Sequence, residues 1–129
     1  MKTTDIYNIH FDKNINAVVM EWNGYANSLQ FREGTELMLN TLIQNKSTKV
    51  LAQVQNMTLI GSEDQVWLQN HFLPRAIQFG FRSIAIVKPQ SHFNKVAIES
   101  VAEKIDKDKI SVKFFDNTDE AIECLKQIN

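Results

Sequence analysis

The run Ser83-Ile84-Ala85-Ile86-Val87 constrains the fold more than any other segment of this 129-residue chain. Its residues are almost continuously apolar, and Lys88-Pro89 closes the run. Strands that are covered on both faces have this composition, whereas strands with one wet face alternate apolar and polar residues. We therefore expect this strand in the interior of a sheet, paired in parallel with its neighbours.

Strand and helix patterns alternate along the rest of the chain. Apolar residues at a period of two predict strands, and apolar residues at a spacing of three or four predict helices. The predicted strands are 7–11, 17–22, 49–54, 83–87 and 110–114, and the predicted helices are 28–45, 62–79, 94–105 and 118–128. The order ββαβαβαβα begins with an antiparallel hairpin. It predicts one α/β domain over 1–129, with a mixed, mostly parallel sheet and four helices.

Polar residues mark the predicted helix starts. Either Asn27 or Ser28 is expected to cap the first helix, and Thr118 the last. Ser62 and Gln65 have the spacing of a capping box at the start of the second helix.

Two glycines and a proline add further expectations. Gly80 is expected to follow the second helix as its left-handed terminating residue. Pro74 should kink or divide that helix, because proline lacks a donor N–H and clashes with the preceding turn. Gly34 costs helix stability, and its expected use is a close approach of the first helix to the sheet.

Charge and composition exclude several classes of protein. The 14 basic and 15 acidic residues are interspersed and give a net charge of −1, so we expect no nucleic-acid partner. No apolar stretch approaches the ~20 residues that span a bilayer, so no membrane insertion is expected. The chain has one cysteine, Cys124, which excludes an internal disulfide. Without a secretory signal, the expected location is the cytoplasm.

No motif for catalysis, metal binding or nucleotide binding is present. His10, His71 and His92 lie in different predicted elements, and none has the spacing of a metal site. The glycines form neither of the phosphate-binding loops known from nucleotide-binding proteins. Cys124 lies in mid-helix, where a thiol is usually inert. We therefore expect no cofactor, no metal ion, no catalytic residues and no enzymatic activity.

The stretch from Thr48 to Pro89 carries the most specific sequence signal. Its segments Glu63-Asp64-Gln65-x-Trp67-Leu68 and Pro74-Arg75-Ala76, followed by Gly80, resemble a group of small bacterial STAS-like proteins. The STAS superfamily includes the anti-anti-sigma factors, and the order of the predicted elements also resembles theirs. The resemblance implies a STAS-like fold and a regulatory module that binds a protein partner.

In anti-anti-sigma factors, a serine at the start of the helix after the third strand is phosphorylated, typically within Asp-Ser-Ser-Gly. This chain has Gly61-Ser62-Glu63-Asp64, which departs from that pattern. The resemblance makes Ser62 the candidate phosphoacceptor. The alternative is that Ser62 serves only as a helix cap, which its position in the capping box predicts. The adjacent carboxylates of Glu63 and Asp64 also oppose an added phosphate.

The second helix supplies a candidate partner surface. At about 100° per residue, its apolar residues share one broad face. The residues expected on that core-facing side are Val66, Leu68, Phe72, Leu73, Ala76, Ile77 and Phe79. Trp67 and His71 fall on the opposite side, although the Pro74 kink could instead turn Trp67 into the core. With Ser62 and Glu63 they form the candidate surface.

Three functions follow, in order of preference. The first is a non-catalytic interaction module whose partner is an unknown protein, and a homodimer is left open. The alternative is a carrier of a small apolar molecule or lipid, with Phe72, Phe79 and Phe81 lining a pocket between helix and sheet. The third is an enzyme that uses Glu63, Asp64 and His71, which do not share a helix face.

Overall fold

A mixed six-stranded sheet forms the centre of the molecule. The computed structural model describes residues 2, 3, 6–58 and 61–128. The strands are β1 Lys2–Thr3, β2 Tyr7–Asp12, β3 Ala17–Gly24, β4 Lys49–Met57, β5 Ser83–Val87 and β6 Ser111–Phe115. They lie side by side in chain order, antiparallel from β1 to β3 and parallel from β3 to β6. The predicted α/β fold is confirmed, including the parallel interior position of β5, and β1 is an addition to it.

The helices cover both faces of this sheet. They are α1 Ser28–Gln44, α2 Ser62–Trp67, α3 Leu73–Gln78, α4 His92–Glu103 and α5 Thr118–Lys126, and a π-helical turn, Leu68–Phe72, joins α2 to α3. The larger core packs α1, the α2–α3 region and α4 against one face. The smaller core lies beneath α5 on the other face. No helix within the described part of the chain is long and apolar enough to cross a membrane.

The helix caps agree with the sequence in one case and differ in another. Of the two predicted candidates for the cap of α1, Asn27 is the cap, and its side chain accepts from the Gln30 N–H at 2.8 Å. The predicted cap at Thr118 is wrong, because Thr118 is already helical. Asn117 caps α5 instead, accepting from the Glu120 N–H at 2.9 Å.

Gly34 sets the distance between α1 and the sheet. A Cβ atom at Gly34 would lie 2.6 Å from Cη2 of Trp22 on β3, closer than real side chains come. The Trp22 ring is 2% exposed and lies 5.3 Å from the Tyr7 ring and 5.6 Å from the Phe31 ring, measured between centroids. The missing side chain therefore lets α1 rest directly on the largest side chain of the core, as the sequence predicts.

A buried lysine fastens α5 to the opposite face. The Nζ atom of Lys49, on β4, donates to the carbonyl oxygens of Leu125 at 2.8 Å and Ile128 at 3.0 Å. The Leu125 carbonyl lies in the last turn of α5 and the Ile128 carbonyl just after the helix. Carbonyl groups at a helix C-terminus carry partial negative charge, so a cation is a favourable donor to them. Burial lowers the pKa of Lys49 from its ordinary value. Local sequence patterns do not reveal this contact, since Lys49 lies more than seventy residues before its partners.

We predict that Gly34→Ala destabilises the protein by about 1–3 kcal/mol, because the buried Trp22 ring cannot yield to a new methyl group. This loss opposes the gain of about 1 kcal/mol that alanine brings to a helix interior. Urea unfolding measures the net change. Gly61→Ala is the matched control, since its Cβ would meet no atom within 4 Å. A Gly34→Ala variant more stable than wild type by the full helix gain of about 1 kcal/mol would contradict the close approach.

We also predict that Lys49→Met lowers the free energy of unfolding by about 1–3 kcal/mol, because both hydrogen bonds from the Lys49 ammonium group to α5 and the residues after it are lost. In hydrogen exchange, the amides of α5 should show the largest increase in exchange rate. Lys113→Met, at an exposed position on β6, is the control and should leave exchange in α5 unchanged. Unaltered protection of α5 in Lys49→Met would show that the lysine does not hold this helix.

Candidate functional site

The α2 helix begins without a side-chain cap. Gly61 is its N-cap residue, and the Gly61 carbonyl accepts from the N–H groups of Asp64 and Gln65, both at 3.1 Å. The predicted capping box is therefore wrong, because the helix already includes Ser62 and the Ser62 hydroxyl caps nothing. The side-chain oxygen of Gln65 instead accepts from Lys104 Nζ at 2.9 Å. Ser62 and Glu63 are both exposed.

Asp64 ties α2 to the start of α1. Its residue is 4% exposed, and its two carboxylate oxygens accept from Ser28 Oγ at 3.1 Å and Arg32 Nε at 3.3 Å. A buried carboxylate needs such partners, because desolvation penalises its charge. Asp64 thus turns toward α1, away from the solvent-facing His71.

Trp67 lies half-buried between the two helices. The Arg32 guanidinium stands 5.3 Å from the centre of the indole, within the range of a cation–π contact. The Trp67 ring also meets the Phe31 ring at 6.2 Å and the Phe72 ring at 5.6 Å. The sequence left open whether Trp67 is exposed or turned into the core. In the structure one side of the indole packs on the core and the other faces the surface.

The π-helical turn explains this position of Trp67. The Leu73 N–H bonds to the Leu68 carbonyl five residues earlier, so the turn holds one residue more than an α-helical turn. Trp67 and Phe72 can therefore share one side at a spacing of five. The turn ends two residues before Pro74, where the sequence predicts an irregularity.

Two apolar residues predicted on the core-facing side are exposed instead. Val66 is 52% exposed and Phe79 is 54% exposed. The buried Asp64 fixes the phase of α2, and Val66 follows it by about 200° of helical rotation. Phe79 is the C-cap residue of α3, where the helix has ended, and Gly80 follows with the predicted positive φ of 109°.

A shallow, open depression on the surface brings most of the predicted site together. Its lining residues are Arg32, Glu63, Val66, Trp67 and His71. The sequence predicted three of these, and Ser62 is exposed just beside Glu63 without lining the depression. Arg32 was missed because it lies on α1, and nothing local in the sequence links it to Asp64.

The side chains considered for catalysis do not converge. Asp64 is occupied by Ser28 and Arg32, whereas Glu63 and His71 line the open depression. Nowhere in residues 2, 3, 6–58 and 61–128 do three His, Cys, Asp or Glu side chains gather so as to hold a metal ion. Cys124 is half-buried in α5, on the other face of the sheet.

The pocket that a carrier would need is small. Phe72 and Phe81 line an interior cavity of about 100 Å³, whereas Phe79 lies outside it. Pockets for small molecules usually measure roughly 300–1,000 Å³. The volume of this cavity is well below that range.

Known structures show the same architecture. The anti-sigma factor antagonist SpoIIAA in its unphosphorylated form matches with a TM-score of 0.62 and 15% identity, covering 95% of this chain and 99% of its own. An uncharacterised protein with a SpoIIAA-like fold from Shewanella loihica matches with a TM-score of 0.61 and 14% identity over 97% and 99%. An anti-sigma factor antagonist from Mycobacterium paratuberculosis matches with a TM-score of 0.56 and 6% identity over 98% and 100%.

The fold is SpoIIAA-like. The STAS-like resemblance that the sequence suggested is thus confirmed at the level of the fold. No protein-family model matches the chain, and no curated protein matches it.

We predict that Asp64→Ala lowers the free energy of unfolding by about 1–2 kcal/mol, because both hydrogen bonds from α1 are lost and Arg32 is already partly in water. Chemical denaturation measures the change. Glu63→Ala removes the adjacent, exposed carboxylate and should cost about 0.5 kcal/mol or less. Equal effects of the two variants would show that the contact between α1 and α2 does not stabilise the fold.

Proposed function

We propose that this chain is a non-catalytic regulatory module of STAS-like type that binds a protein partner through one surface, here called the α2 surface. The α2 surface comprises Arg32, Ser62, Glu63, Val66, Trp67 and His71. In this proposal residues 1–129 act as one unit, and the cytoplasm is where the partner is met.

The observation that carries the proposal is the composition of the depression. An indole that is half-buried and held by Arg32 offers a rigid aromatic contact, and the exposed Val66 adds apolar area beside it. Trp and Arg are enriched among the residues that dominate binding energies at protein interfaces. Glu63 and His71 lie at the same depression and supply polar contacts.

Further apolar side chains extend this end of the molecule. Tyr25 is 63% exposed and Leu29 is 75% exposed, and both lie within three residues along the chain of Ser28, whose hydroxyl donates to Asp64. Large apolar side chains that cluster on a surface often mark an interaction site. The neighbours described as anti-sigma factor antagonists support a regulatory role by analogy of fold.

Within this proposal, Ser62 is the candidate phosphoacceptor. Ser62 is exposed, and it is not the N-cap residue of α2, which was its alternative role. A phosphate on Ser62 would add nearly two negative charges beside Glu63. Such a change of charge at the rim of the depression would weaken the contact of a partner that fits the unmodified surface.

Affinity capture from an extract of the source organism, followed by measurement of affinity for the captured protein, tests the proposal. His71→Ala should weaken binding about tenfold, which corresponds to about 1.4 kcal/mol. Gln78→Ala is the matched control, because Gln78 is exposed on α3 and lies outside the depression. Equal capture by wild type, His71→Ala and Gln78→Ala would show that His71 does not contribute to binding. Equal capture by Val66→Asp as well, which places a charge on the exposed apolar part of the depression, would refute a partner at the α2 surface.

The same measurement examines the role of Ser62. Ser62→Ala should bind like the unmodified wild type, since the hydroxyl is only the acceptor. Ser62→Asp should bind more weakly, because it places a negative charge at the rim. If Ser62→Asp binds as tightly as Ser62→Ala, charge at this position does not control the partner.

A further inference from the structure

The interior cavity lies on the face of the sheet that carries α1, the π-helical turn and α4. Its volume is about 100 Å³. Met20 and Ala52 form part of its floor on the strands, Phe31 reaches it from α1, and Phe72 from the π-helical turn. The residues of α4 that close it are Ile98, Val101 and Ala102, with Ile105 just after the helix.

The lining is almost entirely carbon and sulfur. Three methionines, Met20, Met38 and Met57, contribute flexible thioethers that adapt to the shape of a guest. Only two lining residues carry a side-chain polar group, the Thr35 hydroxyl and the Trp22 indole N–H, and none carries a charge. A charged or strongly polar guest would find too few partners and would pay the full cost of desolvation.

The size limits the guest further. An apolar cavity of about 150 Å³ engineered in another protein stays dry and binds benzene or xenon. The cavity here is somewhat smaller, at about 100 Å³. A single-ring hydrocarbon or a noble gas atom is therefore the upper range of what fits without a shift of the walls.

One seam of the cavity approaches the surface. Leu68 on the π-helical turn and Val101 on α4 are half-buried, whereas most other lining residues are buried. The hydrogen bond from Lys104 to Gln65 joins α4 to α2 along this side. An entering molecule would have to part these two helical segments, and the polar bridge between them is exposed and easily exchanged for water.

We propose that this cavity is a binding site for small, uncharged apolar molecules of up to about one six-membered ring, entered between α4 and the π-helical turn. The proposal goes beyond the proposed function and does not depend on it, because the lining of the cavity shares no residue with the α2 surface. Compared with the carrier hypothesis, it assigns the cavity a guest that is also apolar but much smaller than a lipid.

Titration with benzene, followed by NMR of protein labelled with ¹³C in the methionine methyl groups, tests the site. The methyl signals of Met20, Met38 and Met57 should shift and then saturate. Ala52→Val points extra methyl groups into the cavity from β4, where a β-branched residue suits the strand, and should abolish the saturable shift. Thr35→Val keeps the shape of the side chain and removes the hydroxyl, so this variant should retain the saturable shift.

Shifts that grow linearly with benzene in both wild type and Ala52→Val would overturn the proposal, since they would report only weak association with the surface. A second filling variant, Ala102→Leu, enters from α4 and serves if Ala52→Val does not fold. Binding of xenon under pressure provides an independent reading with the unmodified chain, and the absence of any saturating methionine shift with both probes would also refute the site.

Discussion

The contact between Gly34 and Trp22 positions most of the features that give this molecule a candidate function. Trp22 fills the centre of the larger core, and α1 lies directly on its ring because Gly34 has no side chain. The height and rotation of α1 are thereby fixed. Arg32 lies half a turn before Gly34 on the same helix, so its direction is fixed as well. A side chain at position 34 would lift α1 and move Arg32 away from Asp64.

The tether at Asp64 carries this constraint to the next helical segment. Ser28 and Arg32 hold the carboxylate, and the carboxylate sets the phase at which α2 meets the core. The extra residue of the π-helical turn then lets Phe72 and Leu73 continue the buried face toward α3. π-Helical turns often accompany functional sites, and this one contributes His71 to the depression. Trp67 owes its half-buried position to these two features together.

The parts of the fold that depend on local patterns could be predicted from the sequence. The apolar run of β5 indicated its interior position, and the signals at Asn27 and Gly80 marked helix ends correctly. The prediction that Ser62 caps α2 was wrong because the helix begins one residue earlier than expected. Gly61 therefore takes the N-cap position. The roles of Arg32, Asp64 and Lys49 could not be read from local patterns. Each depends on a partner more than thirty residues away, and only the packed fold brings the pair together.

The cavity and the α2 surface are neighbours even though their lining residues differ. Phe31 and Phe72 form part of the cavity wall, and the same two rings pack against Trp67. Closely packed interiors transmit displacements, because there is no free space between side chains in contact. When one ring moves, the ring packed against it must move as well. A guest that pressed on Phe31 or Phe72 would therefore act on the indole at the surface. This arrangement gives the fold a short physical route from its interior to the place where a partner would bind, and the route consists of two aromatic contacts.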